Sequence, residues 1–230
     1  MTQSGAWQTV GDLAPGDHLC CIHETEQEHR ALLAPYLRQG LERHEKLLYI
    51  VDSRTAGVVL EYLRSDGMNP DPCLASGQLN ILTCNDCYFR GGVFEPERMI
   101  ALLLAETDQA VKEGYAALRA TGEMSWALRG LPGSGRLIEY EAKLNRYLPG
   151  IACVALCQYD RRCFPPGVLL DVLRTHPRVA VGGKICPHSH YVPPETFLRS
   201  DHQEDLLEHW LADLAGAQSV HELAGQGKKE

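Results

Sequence analysis

The chain has 230 residues, of which 44% are hydrophobic and 23% are charged, and its formal net charge is −8. This composition is typical of a globular protein and excludes collagen-like, disordered and coiled-coil classes. A protein that binds duplex nucleic acid must neutralise phosphates. The acidic balance therefore argues against nucleic acid as the main partner and favours a small molecule or a protein.

The sequence gives no sign of a membrane segment or an export signal. The longest uninterrupted apolar run is the seven residues from Ile151 to Cys157, far short of the roughly 20 that a membrane helix needs. The first residues lack a basic segment followed by an apolar stretch. We therefore expect no membrane association and a cytoplasmic, reducing compartment, in which the nine cysteines would be free thiols.

Strand-like apolar runs alternate with helical periodicity along most of the chain. In chain order, we predict strand 18–22, helix 25–41 with a capping box of Thr25 and Glu28, strand 46–51, a helix from Asp52 or Ser53 to residue 64, strand 78–83, helix 95–113, a short strand around 123–126, helix 134–147, strand 151–157, helix 165–175, strand 179–181 and edge strand 184–186. This alternation predicts one three-layer α/β domain with a mostly parallel central sheet.

The predicted domain would span residues 1–200, and residues 201–230 would add an amphipathic helix and a frayed tail. The apolar stripe of that helix consists of Leu206, Trp210, Leu211 and Leu214. It would suit a partner protein or a second copy of the chain in a homodimer, or it would pack on the chain's own sheet.

Ligands of open α/β sheets bind outside the carboxyl ends of the strands. Aromatic rings combined with a few polar groups are the usual lining of a small-molecule pocket. Each aromatic residue taken alone is better explained by a place in the core, whereas the group at successive strand ends is equally compatible with a pocket. The residues that we predict as ligand contacts are His18, Cys20, His23, Glu24, Tyr88, Glu123, Trp126, Gln158 and Tyr159.

Histidine and cysteine side chains suggest a metal site in the same region. His18 and Cys20 share one face of the first strand, and Cys84 and Cys87 form a CxxC motif at the end of the third. Together the four would make a ligand set for zinc or another transition-metal ion. The alternative is that these cysteines are buried packing residues. A further alternative is a thiol- or metal-dependent enzyme that uses Cys20 or the Cys84/Cys87 pair, which would require a lowered cysteine pKa.

Two loops bear on nucleotide binding. The turn after the first strand, residues 21–26, has no glycine or lysine but contains two glutamates, so we expect no ATP hydrolysis there. Residues 130–137 have the glycine spacing of a phosphate-binding loop. However, Arg136 and Leu137 replace the lysine and the hydroxyl residue of that motif. A flexible turn is the simpler interpretation, with residual nucleotide binding as the alternative.

The segment from Gly16 to Cys20 (GDHLC) resembles the opening motif of the MEDS domain, the methanogen/methylotroph DcmR sensory domain. Segments 41–51, 122–128 and 156–164 are similar to further parts of that family, and the resemblance covers roughly residues 10–198. It implies a degenerate RecA/KaiC-like scaffold without a phosphate-binding loop. It also implies a sensor of small molecules such as hydrocarbon derivatives, with His18 and Cys20 as ligand or metal contacts.

The resemblance also bears on partners. Family members often carry a DNA-binding or kinase domain, whereas about 30 residues follow the matched region here. We therefore expect a stand-alone sensor that signals through a partner protein, either a transcription regulator or a kinase. Two features depart from the family pattern: the CxxC motif of Cys84 and Cys87 is not typical of it, and His23 stands where the family often has tyrosine.

Overall fold

The computed structural model describes residues 8–182 and 184–199. Within these residues, seven strands form one sheet: β1 (His18–His23), β2 (Lys46–Val51), β3 (Leu79–Thr83), β4 (Leu118–Glu123), β5 (Cys153–Asp160), β6 (Arg178–Val181) and β7 (Lys184–Pro187). The α-helices are α1 (Glu26–Glu42), α2 (Ala56–Ser65), α3 (Asp71–Ser76), α4 (Cys84–Cys87), α5 (Pro96–Lys112), α6 (Leu137–Tyr147), α7 (Pro166–Thr175) and α8 (Pro194–Phe197).

The sheet has the strand order β3-β2-β4-β5-β1-β6-β7. Neighbouring strands run parallel except β7, which is antiparallel to β6 at the edge. Helices α1 and α2 pack on one face of the sheet, and α5, α6 and α7 pack on the other. The α/β prediction with a mostly parallel central sheet is confirmed. The carboxyl ends of six strands therefore meet at one edge.

The start of α1 shows how closely the local sequence signals hold. Thr25 is the N-cap, and its hydroxyl accepts a hydrogen bond from the backbone N–H of Glu28, as predicted. The Glu28 carboxylate accepts from the N–H of Glu24 at 2.8 Å rather than from that of Thr25. The helix therefore begins where the sequence indicates, but the return hydrogen bond of the capping box goes to Glu24 instead of Thr25.

The prediction that α2 starts at Asp52 or Ser53 is wrong, because the helix begins at Ala56 after the N-cap Thr55. The Glu123 carboxylate accepts hydrogen bonds from the backbone N–H groups of Ser53 and Arg54, at 2.7 and 3.0 Å. A long-range contact therefore holds these residues in a turn ahead of the helix.

The predicted strand around residues 123–126 is also misplaced. The strand is β4 (Leu118–Glu123), and the following Met124–Arg129 form a 3-10 helix. Arg119, Thr121 and Glu123 alternate with apolar residues, a pattern that suggests a solvent-facing side, yet all of β4 is buried. The polar side chains point beneath α1 and α2, where each finds a partner.

The glycine-rich loop before α6 has a structural explanation. Gly133 has a φ of 81°, and a Cβ there would overlap the backbone carbonyl of Phe94. Only glycine suits a position that combines this conformation with this close approach. Arg136 pairs with Glu139 at 2.7 Å. These contacts support the interpretation of residues 130–137 as a turn.

One compact unit ends at Pro194. The amphipathic helix and tail predicted for residues 201–230 lie outside the described residues, so a division at residue 200 stays a prediction. Within residues 8–182 and 184–199, no helix combines the length and apolar character required to span a membrane.

Candidate functional site

The predicted ligand contacts divide between the two faces of the sheet, because successive strand residues point in opposite directions. The face under α5, α6 and α7 carries His18, Cys20, Tyr88, Trp126 and Tyr159, and the face under α1 and α2 carries His23, Glu123 and Gln158. Glu24 is exposed and pairs with Arg161 at 3.4 Å. The nine residues therefore do not form one pocket.

On the first face, His18 belongs to a group that we call the buried polar cluster: His18, Glu141, Cys157 and His176. The four residues come from β1, α6, β5 and the end of α7, and each is at most 4% exposed. Glu141 Oε2 lies 3.3 Å from His18 Nε2, 3.4 Å from His176 Nε2 and 3.4 Å from Cys157 Sγ. Cys157 Sγ lies 3.7 Å from His18 Nε2.

The hydrogen bonds around the cluster fix the tautomers of both histidines. The Asn145 amide nitrogen donates to the carbonyl of Thr175 at 2.7 Å, so its oxygen faces His18 Nδ1 at 3.0 Å. His176 Nδ1 lies 2.8 Å from the carbonyl oxygen of Val172. Carbonyl oxygens only accept, so both Nδ1 atoms carry hydrogen. In their neutral forms, both rings therefore turn a bare Nε2 toward Glu141.

Glu141 is the charged centre of the cluster. Burial alone would raise its pKa, but His176 and His18 beside the carboxylate hold that pKa well below its usual range. The second carboxylate oxygen, Oε1, accepts a hydrogen bond from the Tyr159 hydroxyl. Glu141 is thus an ionised carboxylate at 0% exposure.

The predicted metal set of His18, Cys20, Cys84 and Cys87 is wrong as a group. Three strands lie between β1 and β3. The axes of β1 and β3 are therefore roughly 19 Å apart at the usual strand spacing. Cys20 pairs in register with Cys157, but its thiol points to the carbonyl of Arg178 at 3.9 Å. In the described part of the chain, the buried polar cluster is the one group of such side chains close enough to share an ion.

Sequence reasoning missed three members of this cluster. Cys157 was recognised only as a strand residue. Glu141 occupies a position on the apolar stripe of α6 between Tyr140 and Leu144, and a charge there signals a buried partner. His176 follows directly after α7 and precedes a proline.

The electrostatics of the thiols give no support to a nucleophilic cysteine. Burial raises the pKa of Cys20 well above its usual value, that of Cys84 to about 11 and that of Cys87 to about 12. A nucleophilic cysteine requires the opposite shift. These groups are therefore protonated at neutral pH.

On the second face, polar side chains meet at the carboxyl ends of β1, β2, β4 and β5. Glu123 accepts from the Ser53 hydroxyl at 2.6 Å and from the Tyr49 hydroxyl at 3.3 Å. The Tyr49 hydroxyl also lies 3.1 Å from the oxygen of Gln158, which in turn contacts His29 Nε2 at 2.6 Å. This network ties the strand ends together.

His23 lies beside this network with its ring centroid 4.7 Å from that of His29. Its Nδ1 atom is buried and has no hydrogen-bond partner. Burial and the neighbouring His29 lower the pKa of His23 to about 4. His23 is therefore neutral at physiological pH.

The aromatic residues on the first face form a core with a small void beside it. Trp126 is fully buried, with its ring stacked on Tyr88 at 4.6 Å and 4.5 Å from Phe94. A cavity of about 20 Å³ lies between the sheet and helices α5 and α6. Its lining is almost entirely apolar and includes Cys157, so this residue belongs to both the cavity and the buried polar cluster.

Comparison with known proteins identifies the family. The model of the MEDS family, described as the methanogen/methylotroph DcmR sensory domain, matches residues 17–177. The chain belongs to the MEDS family. All four residues of the buried polar cluster lie within the part of this MEDS chain that matches.

One curated relative is the transcriptional repressor DcmR of Methylorubrum extorquens. It is 28% identical to this MEDS chain over 166 residues, which is 72% of the chain and 60% of the repressor. The chain thus spans less than two thirds of the length of this relative.

A solved structure of low sequence identity shares the α/β fold of this chain. The flagellar accessory protein FlaH of Methanocaldococcus jannaschii superimposes with a TM-score of 0.52 at 13% identity, covering 76% of this MEDS chain and 77% of FlaH. A KaiC-like protein of Pyrococcus horikoshii gives a TM-score of 0.48 at 16% identity, covering 72% of this MEDS chain and 70% of the KaiC-like protein. At such identities the likeness concerns the fold alone.

Proposed function

We propose that this MEDS domain senses a small, mainly apolar molecule, such as a hydrocarbon derivative, and relays its presence to a partner protein. The observation that carries this proposal is the cavity beside Cys157. It lies between the central strands of the sheet and helices α5 and α6. The family description as a sensory domain and the similarity to a transcriptional repressor support the regulatory part.

The cavity restricts the ligand by size and polarity. At about 20 Å³, it exceeds the roughly 10–15 Å³ that a single water requires, and an apolar cavity of this kind stays dry. Met99 and Met124 line it, and their flexible side chains allow a somewhat larger guest. Polar contact is available from the Tyr88 hydroxyl and the Cys157 thiol. The cavity as it stands admits little more than one water, so a guest with one to a few carbon atoms and one polar or halogen substituent requires the methionine side chains to move.

Helices α5 and α6 would transmit the signal. Met99 and Leu103 of α5 and Tyr140 and Leu144 of α6 form the helical side of the cavity. A guest that binds more tightly when these helices are displaced shifts the protein toward that conformation. The receiver would be a transcription regulator or a kinase, or a second copy of the chain in a homodimer.

Binding of graded small molecules tests this function. We expect methanol, chloromethane and their two- to four-carbon homologues to raise the melting temperature of the full chain, because a ligand that binds only the folded state stabilises it. The gain should be greatest for the smallest compounds that fill the cavity, and NMR signals of the Met99 and Met124 methyl groups should shift on saturation.

A matched pair of variants locates the effect. Ala155→Val places two methyl groups into the cavity, whereas Ala180→Val adds the same volume to the opposite face of the sheet. We expect ligand stabilisation to persist in Ala180→Val and to disappear in Ala155→Val. The proposal would be contradicted if the ligands stabilised both variants equally. It would also be contradicted if they stabilised neither the variants nor the original chain.

A further inference from the structure

The geometry points to a metal site: we propose that His18 Nε2, His176 Nε2, Glu141 Oε2 and Cys157 Sγ together bind one divalent transition-metal ion of the zinc type. This inference goes beyond the small-molecule function and does not depend on it. The sequence also predicts a zinc or other transition-metal ion, but at His18, Cys20, Cys84 and Cys87. Of those four residues, only His18 belongs to the site proposed here.

Four of the six distances between the four ligand atoms are those of a tetrahedral site. Zinc lies about 2.0–2.2 Å from nitrogen or oxygen and about 2.3 Å from sulphur, which places the corners of the tetrahedron roughly 3.3–3.7 Å apart. The four contacts measured between cluster atoms are 3.3, 3.4, 3.4 and 3.7 Å. All ligand atoms lie within 4.8 Å of one another. An ion would therefore fit with small side-chain movements.

The Nε2 atoms of both histidines face the centre of the cluster. Asn145 and the carbonyl of Val172 occupy the Nδ1 atoms of His18 and His176, which leaves each Nε2 atom, on the side of Glu141, for a metal ion. His176 Nε2 lies 3.4 Å from Glu141 yet forms no hydrogen bond of good geometry, and it is fully buried. Three electron-rich atoms thus converge on one point, where the Cys157 thiol donates to Glu141 Oε2.

A divalent ion would also balance the buried charge. Binding would replace the Cys157 S–H bond by a metal–sulphur bond and release one proton to solvent. The resulting thiolate and the Glu141 carboxylate together carry two negative charges, which neutralise the ion. A site without net charge is the form that a buried location favours.

The surrounding residues have the arrangement of an outer ligand shell. Asn145 orients His18, the carbonyl of Val172 orients His176, and the Tyr159 hydroxyl holds the free oxygen of Glu141. Such partners fix ligand orientation, and their loss commonly weakens metal binding about 10- to 100-fold. Asn145 is therefore assigned as a positioning residue.

The experiment uses the full chain, unfolded with chelator and refolded with Zn²⁺ or Co²⁺, because a buried site takes up its ion during folding. We expect one ion per chain and release of one proton. The Co²⁺ form should show the visible bands of a tetrahedral site together with a thiolate-to-cobalt charge-transfer band. Cys157→Ser should abolish that charge-transfer band, and Asn145→Leu should weaken Zn²⁺ binding about 10- to 100-fold.

Cys20→Ser is the matched control, since Cys20 is a buried thiol that pairs in register with Cys157 on the same face. It should retain the ion and the charge-transfer band. Absence of a stoichiometric ion in the folded original chain would overturn the proposal and would mean that a proton bridges the cluster. Equal loss of the band in Cys20→Ser and Cys157→Ser would also overturn it.

Discussion

Replacement of Glu141 by alanine is expected to lower the free energy of unfolding by about 3–5 kcal/mol, the usual effect of removing one partner from a buried charged group. The substitution leaves the Cys157 thiol and the Tyr159 hydroxyl without their acceptor inside a fully buried cluster. Urea unfolding of the full chain in the presence of a chelator measures the change without any contribution from a metal.

Glu139→Ala provides the control for this prediction. Glu139 lies on the same helix but is partly exposed, and it pairs with Arg136 and Lys143. Ion pairs of this kind contribute about 0–1 kcal/mol, so Glu139→Ala should be close to the original chain. Similar losses in the two variants would show that the cluster contributes nothing special to stability.

Acidification is expected to destabilise the domain through His23. The pKa of this residue is about 4 in the folded state and about 6.5 in an unfolded chain. Between these values the unfolded state binds more protons, so stability is greatest above pH 6.5 and falls as the pH approaches 4. At about 1.4 kcal/mol per pKa unit, the loss attributable to His23 is about 3 kcal/mol.

His23→Leu should remove this part of the pH dependence. Because the His23 Nδ1 atom has no partner, leucine should cost little stability at pH 7 and should leave the variant more stable than the original chain near pH 4.5. Substitution of the exposed His190 by glutamine is the control and should leave the curve unchanged. Parallel curves for the original chain and His23→Leu would contradict the assignment.

Most of the fold could be predicted from local sequence patterns. Continuous apolar runs marked β1, β2 and β5 because strands buried on both faces need apolar residues on both sides. The position of β4 was missed because its alternating polar residues suggested a solvent-exposed face. Those residues are buried through an ion pair to Glu45 and hydrogen bonds to β2, β5 and the turn ahead of α2, which no local pattern reveals.

The site was harder to predict because it depends on strand order. Only His18 of the buried polar cluster was identified, from the GDHLC motif. Cys84 and Cys87 were assigned to the same site because they follow a strand, but spacing does not reveal that β3 is at the far edge of the sheet. The insertion of β1 between β5 and β6 brings Cys157 and His176 to His18, across 139 and 158 positions of sequence.

Cys157 borders both the cavity and the buried polar cluster, which links the two proposed sites. Two occupants that share a wall influence each other's affinity, and thermodynamic reciprocity makes that influence equal in both directions. If both proposals hold, filling one site changes the affinity of the other, so the response of the domain to the small molecule depends on the supply of the ion. Cys157 would then be the junction between two inputs.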